Sequence, residues 1–153
     1  MQMLETKIPP VALFVVFIVA INQISHEFLS LRYDLPFKNI VFLVCFVVSG
    51  VVGLAGIYEF RRAKTTVHPV KVDLASAVVD SGIFAYSRNP MYLGLFLLIF
   101  GFAYWQQNLL SVAFSFGFVL YMNRFQILPE ERALESLFGA EYKDYKQRVR
   151  RWI

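Results

Sequence analysis

Residues 86–94 read Tyr86-Ser87-Arg88-Asn89-Pro90-Met91-Tyr92-Leu93-Gly94 and run directly into an apolar stretch, residues 95–104. Arginine, asparagine and two tyrosines at the mouth of a membrane segment are costly to place without partners, so a functional reading comes first. Arg88 can grip a carboxylate or another anion through the bidentate fork of its guanidinium. Farther along, Glu130 and Glu131 follow Pro129, and Tyr142, Tyr145 and Arg151 come after them. The two carboxylates can accept hydrogen bonds from a ligand, or oppose the positive end of a helix that begins at Pro129. The tyrosines can wall a ligand or anchor the chain at an interface. No His/Cys spacing suited to a metal and no Ser-His-Asp set accompanies them. Cys45, the one cysteine, excludes an internal disulfide and reads as a small packing residue within an apolar run.

The elements that position these groups are apolar. Of 153 residues, 58% are hydrophobic and 17% aromatic, far above the roughly 45–50% apolar content of a soluble domain. The composition implies a single all-α domain, residues 1–153, in the class of integral membrane proteins. A net charge of +4 needs no nucleic acid to explain it, because the basic residues flank apolar runs where anionic headgroups attract them. The first run, residues 9–31, is about 34 Å long as a helix and suffices for a crossing. It lacks the charge pattern and the small-x-small cleavage site of a signal peptide. A short polar turn then makes the second run, residues 39–60, an antiparallel neighbour of the first. Gly50, Gly53 and Gly56 recur along this second run, a spacing that lets another backbone approach closely.

Residues 61–90 turn basic and form a segment too long for a structureless connector, so part of it folds over the cytosolic membrane face. His68 lies within it, either as a surface histidine or as a site residue. The third and fourth runs, residues 91–105 and 109–124, form a helical hairpin. Their apolar cores are each about 21 Å, short for a crossing, so the helices extend into the flanking polar text. That extension carries residues 89–92 and 123–128 to the same face. Four membrane-spanning helices result, with both termini cytoplasmic. Twelve basic residues from Arg61 to Arg151 fall inside against Arg32 and Lys38 outside. In residues 129–153, Leu134, Leu137, Phe138, Tyr142, Tyr145 and Val149 form the apolar stripe of cytosolic amphipathic helices lying under the membrane portion.

Four elements in fixed order carry a resemblance: Arg88-Asn89-Pro90-Met91-Tyr92-Leu93-Gly94; Glu130-Glu131-Arg132-Ala133-Leu134; Phe138-Gly139-Ala140-Glu141-Tyr142-Lys143-Asp144-Tyr145; and Arg150-Arg151-Trp152-Ile153. The chain resembles the isoprenylcysteine carboxyl methyltransferase family of integral-membrane methyltransferases, together with the related phospholipid methyltransferases, over residues 65–153. Thr65-Thr66-Val67-His68-Pro69 stands where that family enters its cofactor side. Asn89 occupies the place of a histidine in the eukaryotic enzymes, so no imidazole is available there. The resemblance implies S-adenosylmethionine as cofactor and S-adenosylhomocysteine as product. It assigns catalysis to Arg88, Glu130 and Glu131, and cofactor contacts to His68, Tyr86, Asn89, Pro90, Tyr92, Leu93, Gly94, Glu130, Glu131, Tyr142, Tyr145 and Arg151, with no metal. Pro90 and Gly94 act through shape, and Arg151 and Trp152 either close the tail over the pocket or anchor it to the membrane surface.

Methyl transfer from a sulfonium chiefly requires alignment of donor and nucleophile, and a lipophilic acceptor would enter from the bilayer while the cofactor enters from water. Carboxyl O-methylation of an isoprenoid-like or lipid acid is the first expectation, and N-methylation of a phospholipid amine is the second. An NADPH-dependent membrane reductase resembling the sterol reductases, and a non-catalytic lipid-binding protein, are the readings from other classes. The compact chain points to a prokaryotic inner membrane.

Overall fold

A computed structural model describes residues 8–63 and 77–153. Among them the chain is helical: α1 (Pro10–Glu27), α2 (Lys38–Arg62), α3 (Pro90–Trp105), α4 (Leu109–Tyr121), α5 (Leu128–Phe138) and α6 (Ala140–Arg148), with short 3-10 turns at Leu29–Leu31 and Gly82–Ala85. His68 and the Thr-Thr-x-x-Pro text lie outside the described residues.

Helices α1, α3 and α4 enclose the main core. Phe17 of α1 stacks on Phe114 at 5.0 Å and meets Phe118 edge-on at 5.6 Å, while Ile21, Ile99, Ala103 and Met122 fill the space between the helices. Interlocked aromatic and branched side chains of this kind give a bundle its fixed geometry.

The second helix is not the neighbour of the first that the short connection implied. It packs chiefly on α3. The connection crosses beneath the α3–α4 turn and is tied there: Tyr33 N donates to Gln107 O at 3.0 Å, Gln107 Nε2 to Leu35 O at 3.2 Å, and Tyr104 Oη to Pro36 O at 3.0 Å. Helix α2 therefore emerges on the far side of α3. Its buried stripe is Cys45, Ser49, Val52, Gly56 and Glu59, alternating steps of four and three that keep one helical face toward α3.

That stripe also corrects the glycine expectation. A Cβ on Gly50 or Gly53 would meet nothing within 4 Å, and only Gly56 faces α3, against Met91 and Pro90. Among the glycines within the α-helices the closest approach belongs to Gly101, where a Cβ would stand 2.7 Å from Cys45 Cβ. Glycines spaced by three drift about 60° around the helix at each step, so the three do not share one face.

The hairpin does bring residues 89–92 and 123–128 to one end. Beyond Tyr121 the chain continues as a π-helical stretch, Met122–Ile127, directly into α5. Pro129 accounts for the widening: it has no N–H to donate to the carbonyl four residues back, and its ring would collide with that carbonyl in a regular α-helix. Gly139, at φ 54° and ψ −119°, then turns the chain into α6. Of the stripe expected on residues 134–149, Leu137 stays 46% exposed and the rest is covered by protein. Tyr142, Tyr145 and Val149 form a second core with Val79 and Phe84, flanked by Phe60, Leu134 and Phe138.

Candidate functional site

The two adjacent glutamates stand in different surroundings. Glu131, whose side chain is 5% exposed, is saturated. Its Oε1 accepts from Arg88 Nη2 at 2.9 Å and from Arg151 Nε at 3.0 Å, and its Oε2 accepts from Arg151 Nη2 at 2.7 Å. Lys146 Nζ stands 3.8 Å from the same carboxylate. Such a fork-on-carboxylate arrangement is strong and geometrically exacting.

Glu130, half-buried one residue earlier, has no salt bridge among the described residues. Tyr92 Oη donates to its Oε1 at 2.7 Å, and Gln126 Nε2, one helical turn back, donates to the same oxygen. No hydrogen bond from a described residue reaches Oε2. Burial pushes the Glu130 carboxyl up to about 7, opposed by the hydrogen bonds from Tyr92 and Gln126 and reinforced by the charge of Glu131.

Arg88 is anchored on three sides. Besides Glu131, its Nη1 donates to Lys146 O at 3.3 Å and its backbone N to Arg150 O at 3.1 Å. Its side chain is only 8% exposed, and its Nε is a buried donor without a partner. A buried unpaired N–H on a charged group is costly, and an incoming acceptor would satisfy it.

The last residues of the chain strap this end together. Asn89 Nδ2 donates to Arg151 O at 3.0 Å, Trp152 Nε1 donates to Asn123 Oδ1 at 3.0 Å, and the Trp152 ring lies 6.4 Å from that of Phe96. Arg151 also reaches Asn123 Oδ1, at 3.5 Å. The strap thereby joins the start of α3, the π-helical stretch and α5.

Of the residues singled out from sequence, Arg88, Asn89, Tyr92, Glu130, Glu131 and Arg151 meet in this network. Tyr86 is 75% exposed and stands outside it. Pro90 and Gly94 serve the packing of α3 on α2: Pro90 faces Gly56, and Gly94 O accepts from Ser49 Oγ at 2.8 Å. Leu93 is buried in α3. Tyr142 and Tyr145 lie in the second core, where Tyr145 Oη donates to Phe84 O at 2.8 Å. Burial raises both phenols above their ordinary range.

Sequence reasoning passed over Gln126 and Asn123. The first was readable, because Gln126 and Glu130 are four residues apart and share a helical face. The second was not, because the π-helical stretch alters which side chains align.

A family model described as phospholipid methyltransferase matches residues 37–141, and the chain belongs to that family. It is 33% identical over 116 residues to the protein-S-isoprenylcysteine O-methyltransferase of Saccharomyces cerevisiae, covering 69% of this chain and 47% of the yeast protein. A protein of the same description from Schizosaccharomyces pombe is 37% identical over 73 residues, 47% of this chain and 30% of that one. A Haemophilus influenzae protein described as uncharacterized is 48% identical over 63 residues, covering 41% of this chain and all of the other. This chain thus spans about half the length of the budding-yeast relative or less. Helices α1 and α2 are each long and apolar enough to cross a membrane.

Proposed function

We propose that the protein is an S-adenosylmethionine-dependent methyltransferase whose acceptor is a lipophilic acid, methylated on its carboxyl group. The observation that carries the reading is the pairing of unmet valences at one end of the bundle: a buried, unpartnered Arg88 Nε and a Glu130 carboxylate with one oxygen unbonded by the described residues. These residues fit the cofactor. Arg88 Nε–H suits a carboxylate, of the donor or of the acceptor, and Glu130 Oε2 suits a hydroxyl or amino group. When bound, S-adenosylmethionine supplies an electrophilic methyl group. The protein's work is then to orient the two reactants and exclude water. Arg88 neutralises and aims an anion, Glu131 and Arg151 hold Arg88 rigid, and the strap of residues 150–153 covers that end.

A second reading is N-methylation of a phospholipid amine. It is favoured by Glu130, whose carboxyl sits near 7 and pairs with no described cation, so that it can take the proton such an acceptor releases. In either reading the chain crosses the membrane four times. The site and both termini face the cytoplasm of a prokaryotic cell, in keeping with the basic residues gathered at the site end.

Purified protein in nanodiscs, supplied with methyl-labelled donor and either a prenyl-type acid or phosphatidylethanolamine, tests the proposal. A base-labile labelled product supports the carboxyl reading, and a base-stable one replaces it with the amine reading. Tight binding of NADPH with no response to the methyl donor overturns both.

A further inference from the structure

The end of the bundle remote from Glu130 holds a polar pocket of about 510 Å³, lined by Arg32, Tyr33, Asp34, Lys38, Trp105 and Gln107 among others. An adjoining space of about 420 Å³ shares Asp34, Lys38 and Gln107 and opens onto Phe37 and Ile40, which are 73% and 59% exposed. The walls are built by uncharged groups. Besides the bonds that tie residues 33–36 to the α3–α4 turn, Trp105 Nε1 donates to Asn39 Oδ1 at 3.1 Å, and the backbones of Arg32 and Asn108 form an antiparallel bridge.

The charged groups are left over. The side chains of Arg32, Asp34 and Lys38 make no ion pair or hydrogen bond among the described residues. Between residues 8 and 60, Arg32 and Lys38 are the only Lys or Arg, and both open onto this one pocket. Two cations and a carboxylate, set in rigid walls beside exposed apolar side chains of a membrane-length helix, complement a head that carries both signs of charge on an apolar body. A phosphodiester suits the Arg32 and Lys38 pair, and a primary ammonium suits Asp34.

We propose that this pocket binds the headgroup of an aminophospholipid, in the leaflet away from the candidate methyl-transfer site. The proposal does not rest on methyl transfer. The three charged side chains make none of the wall contacts, so their variants keep the fold.

Native mass spectrometry of the full chain tests this, with phosphatidylethanolamine, phosphatidylglycerol and phosphatidylcholine of matched acyl chains offered in competition. The wild type retains phosphatidylethanolamine about tenfold over the other two, a ratio typical of one added charge-assisted contact. Arg32→Gln/Lys38→Gln loses that retention. Asp34→Asn brings phosphatidylethanolamine down to the phosphatidylcholine level and leaves phosphatidylglycerol unchanged. Glu130→Gln at the other end keeps the wild-type preference, which separates this pocket from the methyl-transfer site. Equal retention of the three lipids by the wild type, an unchanged preference in both pocket variants, or loss of it in Glu130→Gln overturns the proposal. So does water-soluble glycerophosphoethanolamine competing as well as the intact lipid.

Discussion

The two ends of the helical bundle solve the same problem with opposite materials. At the end that carries Asn108, neutral amides hold the backbone. Asn108 is fully buried, donates from Nδ2 to Phe28 O at 2.8 Å and accepts from Ser111 N at 3.1 Å as the cap of α4, and the charged side chains of Arg32, Asp34 and Lys38 pair with no described residue. At the end that carries Glu131, charges hold the backbone, and two valences of the site are left unmet, Arg88 Nε and Glu130 Oε2. An end held by amides leaves its charged side chains outside the fold's own contacts, where they can meet a headgroup, whereas an end held by ions spends most of its charge on the fold and keeps only a few strong donors and acceptors for a ligand. The contrast separates the proposed headgroup pocket from the candidate reaction site more clearly than residue polarity does.

The sharpest way to break the comparison is Glu131→Ala. It leaves Arg88 buried, with Arg151 beside it, and no carboxylate between them, and a loss of about 3–5 kcal/mol is expected for an uncompensated buried charge. Thermal unfolding in micelles checks it, and a variant as stable as the wild type would mean that charge does not hold this end. At the other end, Asn108→Ala removes a helix cap and one of the two donors to the Phe28 carbonyl, which keeps Leu31 N at 3.1 Å. The expected loss is about 2 kcal/mol, with methyl transfer retained in the folded fraction.

A third test uses pH. Because burial raises the folded carboxyl of Glu130 from 4.5 to about 7, the folded state binds its proton more tightly than the unfolded chain does. The resulting stabilisation is fully present below about pH 4.5 and is lost as pH rises through about 7. Unfolding midpoints of the wild type should therefore fall across that window relative to Glu130→Gln, and parallel curves would contradict the assignment. The smallest effect belongs to the glycines of α2. Gly50→Ala, with open space around the new methyl, should change stability by less than about 0.5 kcal/mol, while Gly101→Ala, crowded against Cys45, should cost about 1–3 kcal/mol.

Much of this architecture is legible in the sequence, for physical reasons that differ by element. The helical runs are written in hydropathy. The convergence of residues 89–92 with Glu130 follows from the lengths of the two hairpin arms, since a returning helix must end near where its partner began. The identity of the α2 neighbour is not legible, because it depends on tertiary hydrogen bonds from residues 33–36 to the α3–α4 turn. The division of labour between Glu130 and Glu131 is likewise hidden: adjacent residues on a helix point about 100° apart, and only the packed structure tells which one meets Arg88 and Arg151. Asn123 escapes notice for a related reason, since the π-helical stretch at Met122–Ile127 departs from the 3.6-residue period on which pattern reading depends. Tyr142 and Tyr145 carry the spacing of a site motif, yet in the fold they complete a core with Val79 and Phe84, residues distant in sequence.

The most direct test of the division between the glutamates is to measure methyl-transfer rate and unfolding midpoint on one preparation of Glu130→Gln. A midpoint near that of the wild type at pH 7 is predicted, shifted only by the lost carboxyl titration, with transfer reduced about tenfold where Glu130 Oε2 binds a ligand hydroxyl or amino group and at least about 100-fold where it takes a proton from an amine. A Glu130→Gln protein that transfers methyl groups at the wild-type rate would contradict that division.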